Sequence, residues 1–284
     1  MKLLVVTVTY KTEEKELDLF IQSFFRFNDL GDEAKLVIVD NSPSNYKIVR
    51  NLVQQSYKDI VAYIPNPANP GFGASNNLGF LYQDSDYVLF VNNDVEFTES
   101  IFLKIISKMK SDNSIGCIGI HQLGGAPSFF VKMTASQQLQ TKKFDDKIHF
   151  ISGAFMFFRS DVFKKIGMFD ERIFMYLEEF DVSERILNSG YKTVYYDSVS
   201  FWHKVKNRKI QNEKMWQIGT ESFCYVCKKY NLNPYSLSLS NRRLVLLLLY
   251  FILHFNIKEF LKILRIIKMR KRIIERSFPL KKYL

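Results

Sequence analysis

Apolar residues along the first hundred positions fall into two alternating patterns. "KLLVVTVTY" (2–10), "AKLVIVDNSPS" (34–44), "DIVAYIPN" (59–66) and "DYVLFVNNDVEF" (86–97) each contain an apolar, β-branched run with little polar alternation. That is the signature of strands covered on both faces. Between them the spacing turns helical. In "EEKELDLFIQSFFRF" (13–27), Leu17, Phe20, Ile21, Phe24 and Phe25 lie on one side. "NYKIVRNLVQQSY" (45–57) reads as a helix, and "NPGFGASNNLGFLYQ" (69–83) as a glycine-rich turn entering one. This β-α-β-α-β-α-β order with short connections predicts a three-layer α/β architecture around a mostly parallel sheet.

Further along, "SIFLKIISKMK" (100–110) predicts a helix and "SIGCIGI" (114–120) a strand, whereas 121–147 is the least regular part and reads as a loop. "IHFISGAFMFFRSDVFKKIGMFD" (148–170) carries a strand into a helix. "ERIFMYLEEFDVSERILNSG" (171–190) reads as helical, stopped by Gly190, and "YKTVYYDSVSFWH" (191–203) as an extended run. From about 210 the pattern is helical, with Ile263, Ile266, Ile267, Ile273 and Ile274 opposite Lys262, Arg265, Lys268 and Arg272.

Charge sharpens this division. The chain of 284 residues carries a net +11, yet Lys204–Leu284 holds 19 Lys and Arg against four Glu, leaving 1–203 slightly acidic. A basic, greasy tail is expected either to lie on an anionic membrane surface or to pack as an oligomer-forming extension. The apolar run 244–253 is only ten residues, about half of what a bilayer requires. No secretory leader is expected behind Met1-Lys2. The positive charge is concentrated in the tail beside Leu and Ile, which argues against a nucleic-acid binder. Three cysteines, Cys117, Cys224 and Cys227, suit a reducing compartment, and the lone Cys224–Cys227 pair reads as buried thiols.

Open parallel sheets collect ligands beyond the carboxyl ends of their strands. Four such ends are polar here: Thr9-Tyr10, Asp40-Asn41, the turn Asn66–Gly73, and Asn92-Asn93-Asp94. Singly each is an ordinary capping turn, but together they outline a pocket. The first strand has no glycine-rich turn after it and G-x-x-x-x-G-K-[ST] is absent, so the two common nucleotide clasps are excluded. Asp94 either caps its turn or coordinates Mg²⁺ or Mn²⁺ against phosphate oxygens. "FMYLEEFDVSERI" places Glu178, Glu179, Asp181 and Glu184 within seven residues, as a solvated helix face or as the source of a general base. His203 follows the apolar "VSFW" and is either a core imidazole or a nitrogen ligand beside Asp94.

Several of these stretches, together with "NPANPGFGASNNLG" (66–79) and "SGAFMFFRSDVFKKIGMFDERIFMYLEEFDVSERILNSGYKTVYYDSVSFWH" (152–203), resemble the inverting family 2 glycosyltransferases. Within that family they are similar to rhamnosyl-, glucosyl- and galactosyl-transferring enzymes of bacterial surface polysaccharides. The resemblance implies a GT-A fold: three α/β/α layers around a mostly parallel mixed sheet, spanning 1–208, with a basic helical C-terminal extension over 209–284. The nucleotide-sugar half would cover about 1–97 and the acceptor half about 98–208. Position by position, Thr9, Tyr10 and Asp40 would line the nucleobase and ribose, with Asn69 and Asn76 near the donor. Asn92, Asn93 and Asp94 stand where the family has Asp-x-Asp, so Asp94 and His203 would hold Mn²⁺ or Mg²⁺. Glu179, where the family more often has Asp, would be the base, and Asp181 and Arg185 would brace the helix. The implied donor is a UDP- or dTDP-sugar. The acceptor would be a lipid-linked glycan at the cytoplasmic face of the membrane, or alternatively a soluble or protein-attached glycan. A non-catalytic nucleotide-sugar-binding protein is a further alternative.

Overall fold

The computed structural model describes residues 2–125, 127–135, 143–204, 213–235 and 257–278, together with 244, 246, 247, 249 and 250. The chain divides into two compact units: Met1–Arg172 with Glu178–Lys206, and Ile173–Leu177 with Asn207–Leu284.

The first unit is an eight-stranded mixed sheet between helical layers. Its strands are β1 (Leu3–Thr9), β2 (Ala34–Asp40), β3 (Val61–Pro65), β4 (Tyr87–Val91), β5 (Val95–Phe97), β6 (Ile115–Leu123), β9 (Phe155–Arg159) and β10 (Lys192–His203), in the order β3-β2-β1-β4-β9-β6-β10-β5. The first four are parallel, β9 runs antiparallel between β4 and β6, and β5 lies antiparallel to β10 at the edge. The order reverses beside β1, whose two neighbours are β2 and β4, and that switch point opens a crevice at the strand ends.

The unbroken apolar runs are explained by the two faces. Leu3, Val5, Leu36, Ile38 and Leu89 pack with Leu17, Phe20, Ile21 and Phe24 of α1 (Glu14–Phe27) and with α4 (Phe102–Ser111). Leu4, Val6, Val37, Val39, Val88 and Phe90 turn the other way, onto Phe80 of α3 (Phe72–Phe80), α5 (Ser160–Lys165) and α6 (Glu178–Asn188). Strand side chains alternate, so a strand buried on both sides must be apolar at every position. The helix expected at 45–57 forms as α2 (Ile48–Leu52) followed by a wider π-type turn, Val53–Tyr57.

Two expectations need correcting. The 121–147 stretch is not simply a loop: β6 runs on to Leu123, and β7 (Phe129–Val131) pairs antiparallel with β8 (His149–Ile151). Position 126 and positions 136–142 of that stretch lie outside the described residues. The helix expected from 171 begins only at Glu178, because Tyr176 and Leu177 adopt φ of +74° and +72°. Two successive left-handed residues cannot continue a right-handed helix. The consequence is chemical: Glu178 and Glu179 enter the first turn of α6, where the helix dipole favours negative charge.

The second unit contains α7 (Glu213–Lys229) and α8 (Ile257–Ser277). Ile263 and Ile266 are fully buried with Leu244, while Ile274 and Phe278 pack on Cys224 and Cys227. The isoleucine stripe that suggested a lipid-facing side is therefore largely the packed face of α8. Both thiols are buried, and burial pushes the Cys227 thiol up to about 12. Among the described residues no helix is long and apolar enough to cross a membrane. The 244–253 run lies partly outside the described residues.

Candidate active site

The ends of β1 to β4 are tied together by side chains. Asp40, 3% exposed, accepts hydrogen bonds from Thr9 Oγ1 (3.0 Å), the Ser42 backbone N–H (3.0 Å) and Tyr63 Oη (2.9 Å). Burial, reinforced by the Asp40 charge, holds the Tyr63 phenol protonated above its ordinary range. Asn41, Asn66 and Ser75 form a second knot, with Asn66 Nδ2 donating to Asn41 Oδ1 at 2.8 Å and Asn41 Nδ2 to Ser75 Oγ at 2.8 Å. Asn93 Nδ2 donates to Thr12 Oγ1 at 2.7 Å, joining the exit of β4 to the exit of β1.

The other donor-side candidates occupy different surroundings. Tyr10 is 53% exposed at the end of β1, with the Lys11 ammonium over its ring. Asn69 sits at φ +46°, a left-handed position that asparagine tolerates, and its N–H donates to Asn66 O. Asn76 is buried in α3 and its side-chain amide donates to Phe72 O at 3.0 Å. Its neighbour Asn77 clamps the 169–171 segment by bonding both Phe169 O and Phe169 N–H.

After β4 the chain turns through Asn92-Asn93-Asp94 and leaves for β5, on the far edge of the sheet. The pairing of β5 with β10 sets His203 opposite Val95, and this brings two residues 109 positions apart into contact. His203 Nε2 lies 3.0 Å from Asp94 Oδ1. The histidine side chain is 8% exposed and the aspartate 25%. No group of three or more His, Cys, Asp or Glu that could hold a metal ion occurs among the described residues. One oxygen and one nitrogen donor on a single side fit an Mg²⁺ or Mn²⁺ ion that takes its remaining ligands from water and phosphate. They do not fit a closed structural zinc site. His203 Nδ1 is buried and has no hydrogen-bond partner among the described residues, so the Asp94 contact and packing orient the ring.

On the other rim, α6 presents its acids differently. Asp181 is fully buried and accepts Arg185 Nε (2.9 Å) and Nη2 (2.7 Å), while Arg185 Nη1 also donates to Ile166 O. Glu178 is 3% exposed, whereas Glu179 is half-buried with its carboxylate against Gly153. The next residue, Ala154, accepts the Asn92 N–H at 3.1 Å. One short backbone link thus joins the turn bearing Asp94 to the peptide beneath Glu179. Helix α6 is further attached to the β7–β8 ribbon by Lys132, whose Nζ lies 2.9 Å from Glu184 Oε1 as an ion pair. That lysine side chain is wholly buried.

Three residues here were not singled out from sequence: Gly124, Gly153 and Lys132. A Cβ on Gly124 would stand 2.3 Å from His203 O, and its φ is +96°. The "GG" and "SGA" motifs carried the only available signal. Their importance comes from what passes over each glycine, which pattern does not reveal.

An α/β sheet with a polar switch-point crevice, a carboxylate–imidazole pair and an acid-bearing helix defines the class. The family model described as "Glycosyl transferase family 2" matches residues 4–167. The chain belongs to that family. It is 33% identical over 239 residues to the N-acetylglucosaminyl-diphospho-decaprenol L-rhamnosyltransferase of Mycobacterium tuberculosis, covering 70% of this chain and 75% of the relative. It is 27% identical over 196 residues to a low-salt glycan biosynthesis hexosyltransferase of Haloferax volcanii. That match spans 64% of this chain and 60% of the relative's length. The fold is also that of a mannosyltransferase from Pyrobaculum calidifontis solved with GDP-Man and Mn²⁺. The TM-score is 0.59 at 13% identity, over 78% of this chain and 62% of that one.

Proposed function

We propose that the protein is an inverting glycosyltransferase that moves a hexose or deoxyhexose from a UDP- or dTDP-sugar to a hydroxyl of a glycan in polysaccharide synthesis. The observation that carries this reading is the contact of Asp94 with His203, linked through Asn92 and Ala154 to the peptide beneath Glu179. The exposed Tyr10 ring offers a stacking surface for a base, and the Asp40 network holds the ribose side rigid, with Thr9, Asn69 and Asn76 shaping the wall. Asp94 and His203 would hold Mn²⁺ or Mg²⁺, which supplies charge stabilisation for the leaving diphosphate. Asn92 and Asn93 position that turn. Glu179 takes the proton of the acceptor hydroxyl as its oxygen attacks the anomeric carbon, while the bond to the diphosphate breaks on the opposite face. A single displacement of that kind inverts the anomeric configuration.

A lipid-linked acceptor on the cytoplasmic face fits the second unit. Leu246, Leu249, Tyr250, Ile257 and Leu261 are all exposed, and Arg265, Lys268, Arg272 and Arg276 continue the exposed side of α8. Apolar groups beside cations suit an anionic bilayer surface. The burial of the isoleucine stripe favours the second reading, in which the unit serves packing or self-association and the acceptor is soluble or protein-attached.

The test is a donor screen reading nucleotide release, with and without Mn²⁺ or Mg²⁺, over oligosaccharide and polyprenyl-diphosphate-sugar acceptors. Metal-stimulated release from a UDP- or dTDP-sugar is expected. Release from none of the sugar nucleotides with any acceptor would overturn the enzymatic reading. Flotation with phosphatidylglycerol vesicles but not neutral ones separates the two roles of the tail.

A further inference from the structure

We propose that Gly153 is the positioning residue for the base. The absent side chain at 153 is the space in which a glutamate, rather than a shorter aspartate, holds its carboxylate at the reaction centre. This rests on the assignment of Glu179 as the base, made above.

A Cβ on Gly153 would stand 2.9 Å from both Cγ and Oε1 of Glu179 and 3.2 Å from Cδ. The outer half of the glutamate therefore lies along the peptide at 153. Carbon contacts settle at about 3.5–4.0 Å, so a methyl group there would push the carboxylate away by at least roughly half an ångström. The backbone itself poses no objection, because Gly153 is not among the glycines with positive φ. Nor can the surroundings readily give way. The 153–154 peptide donates its Ala154 N–H to Ser152 Oγ at 3.3 Å, Ala154 O accepts the Asn92 N–H, and α6 is anchored by Phe180 in the core and by the Asp181–Arg185 pair.

What yields is the carboxylate. The atoms in the way belong to a side chain and not to the backbone, and a misplacement of about 1 Å in a reacting group can cost about 100-fold in rate. Aspartate is shorter by one methylene and withdraws its carboxylate from position 153. The two positions are therefore coupled, and the coupling can be measured.

The experiment compares four full-length proteins: wild type, Gly153→Ala, Glu179→Asp and the double variant. Nucleotide release is followed from the sugar nucleotide and acceptor identified by the screen. Gly153→Ala is expected to lower kcat by about 10–100-fold, with the donor KM within about twofold and the melting temperature near wild type. The double variant should exceed Gly153→Ala by about tenfold, a rescue that simple loss of packing does not produce. Wild-type turnover in Gly153→Ala, or a double variant no better than the single one, overturns the proposal. Full turnover in Glu179→Gln removes the base assignment and this proposal together. An inactive Glu179→Gln beside a normal Gly153→Ala removes only the proposal.

Discussion

The two rims of the candidate site are held by different means. On the donor rim, Thr9, Ser42 and Tyr63 converge on Asp40, Asn41 meets Asn66 and Ser75, and Asn93 reaches Thr12. Neighbouring strands hold one another, and the rim is fixed before any ligand arrives. The opposite rim is a single helix turn. Glu179 rests against the peptide at Gly153, and its helix meets the β7–β8 ribbon through the buried Lys132–Glu184 pair and the Phe150–Phe180 ring contact. A network spreads the effect of a lesion over several bonds, whereas a site that depends on one acid concentrates it. The donor rim should therefore tolerate single changes that the acceptor rim does not.

Glu179→Gln gives the largest expected effect. Loss of a general base should slow transfer by about 1,000-fold while donor affinity, measured by calorimetry with UDP- or dTDP-sugar, stays near wild type. Normal turnover would show that the base lies elsewhere and that the two rims do not divide the work in this way. Lys132→Met leaves the Glu184 carboxylate without its lysine. It should lower stability by about 3–4 kcal/mol in urea unfolding; a shift below a tenth of that would show that the ribbon and α6 are held by apolar contacts alone.

His203→Ala tests the junction between the rims. The metal concentration for half-maximal activity should rise by about 100-fold, with the melting temperature little changed. Metal response identical to wild type would leave Asp94 and His203 as a structural pair. The smallest effect belongs to the donor rim. Tyr63→Phe removes one of three donors to Asp40 and should cost about 2 kcal/mol in stability, with a modest rise in donor KM. Collapse of activity in that variant would mean that the network is no more tolerant than the acid on the opposite rim.

Much of this was legible from pattern. Unbroken apolar strands, helical spacing between them and polar strand ends follow from local preference and burial, and each is written in consecutive residues. The bracing pair Asp181–Arg185 was readable for the same reason, being one helical turn apart. The end of the helix before Gly190 was equally local. Pattern misjudged the start of α6, because two left-handed residues carry no compositional mark. It left the isoleucine stripe of α8 open between membrane and packing, because an apolar face looks the same whether it meets lipid or another helix.

By itself the sequence determined most of the strands and helices, which strand ends are polar, and where the basic charge gathers. Those properties depend on near neighbours and on the periods of strand and helix. Only the tertiary structure decided that β5 crosses to the edge beside β10, which sets His203 against Asp94 across 109 residues. Only the tertiary structure also laid Glu179 over Gly153 and joined that peptide to Asn92. Such contacts depend on which strand pairs with which and on atoms that are absent from a glycine, and neither leaves a trace in local pattern.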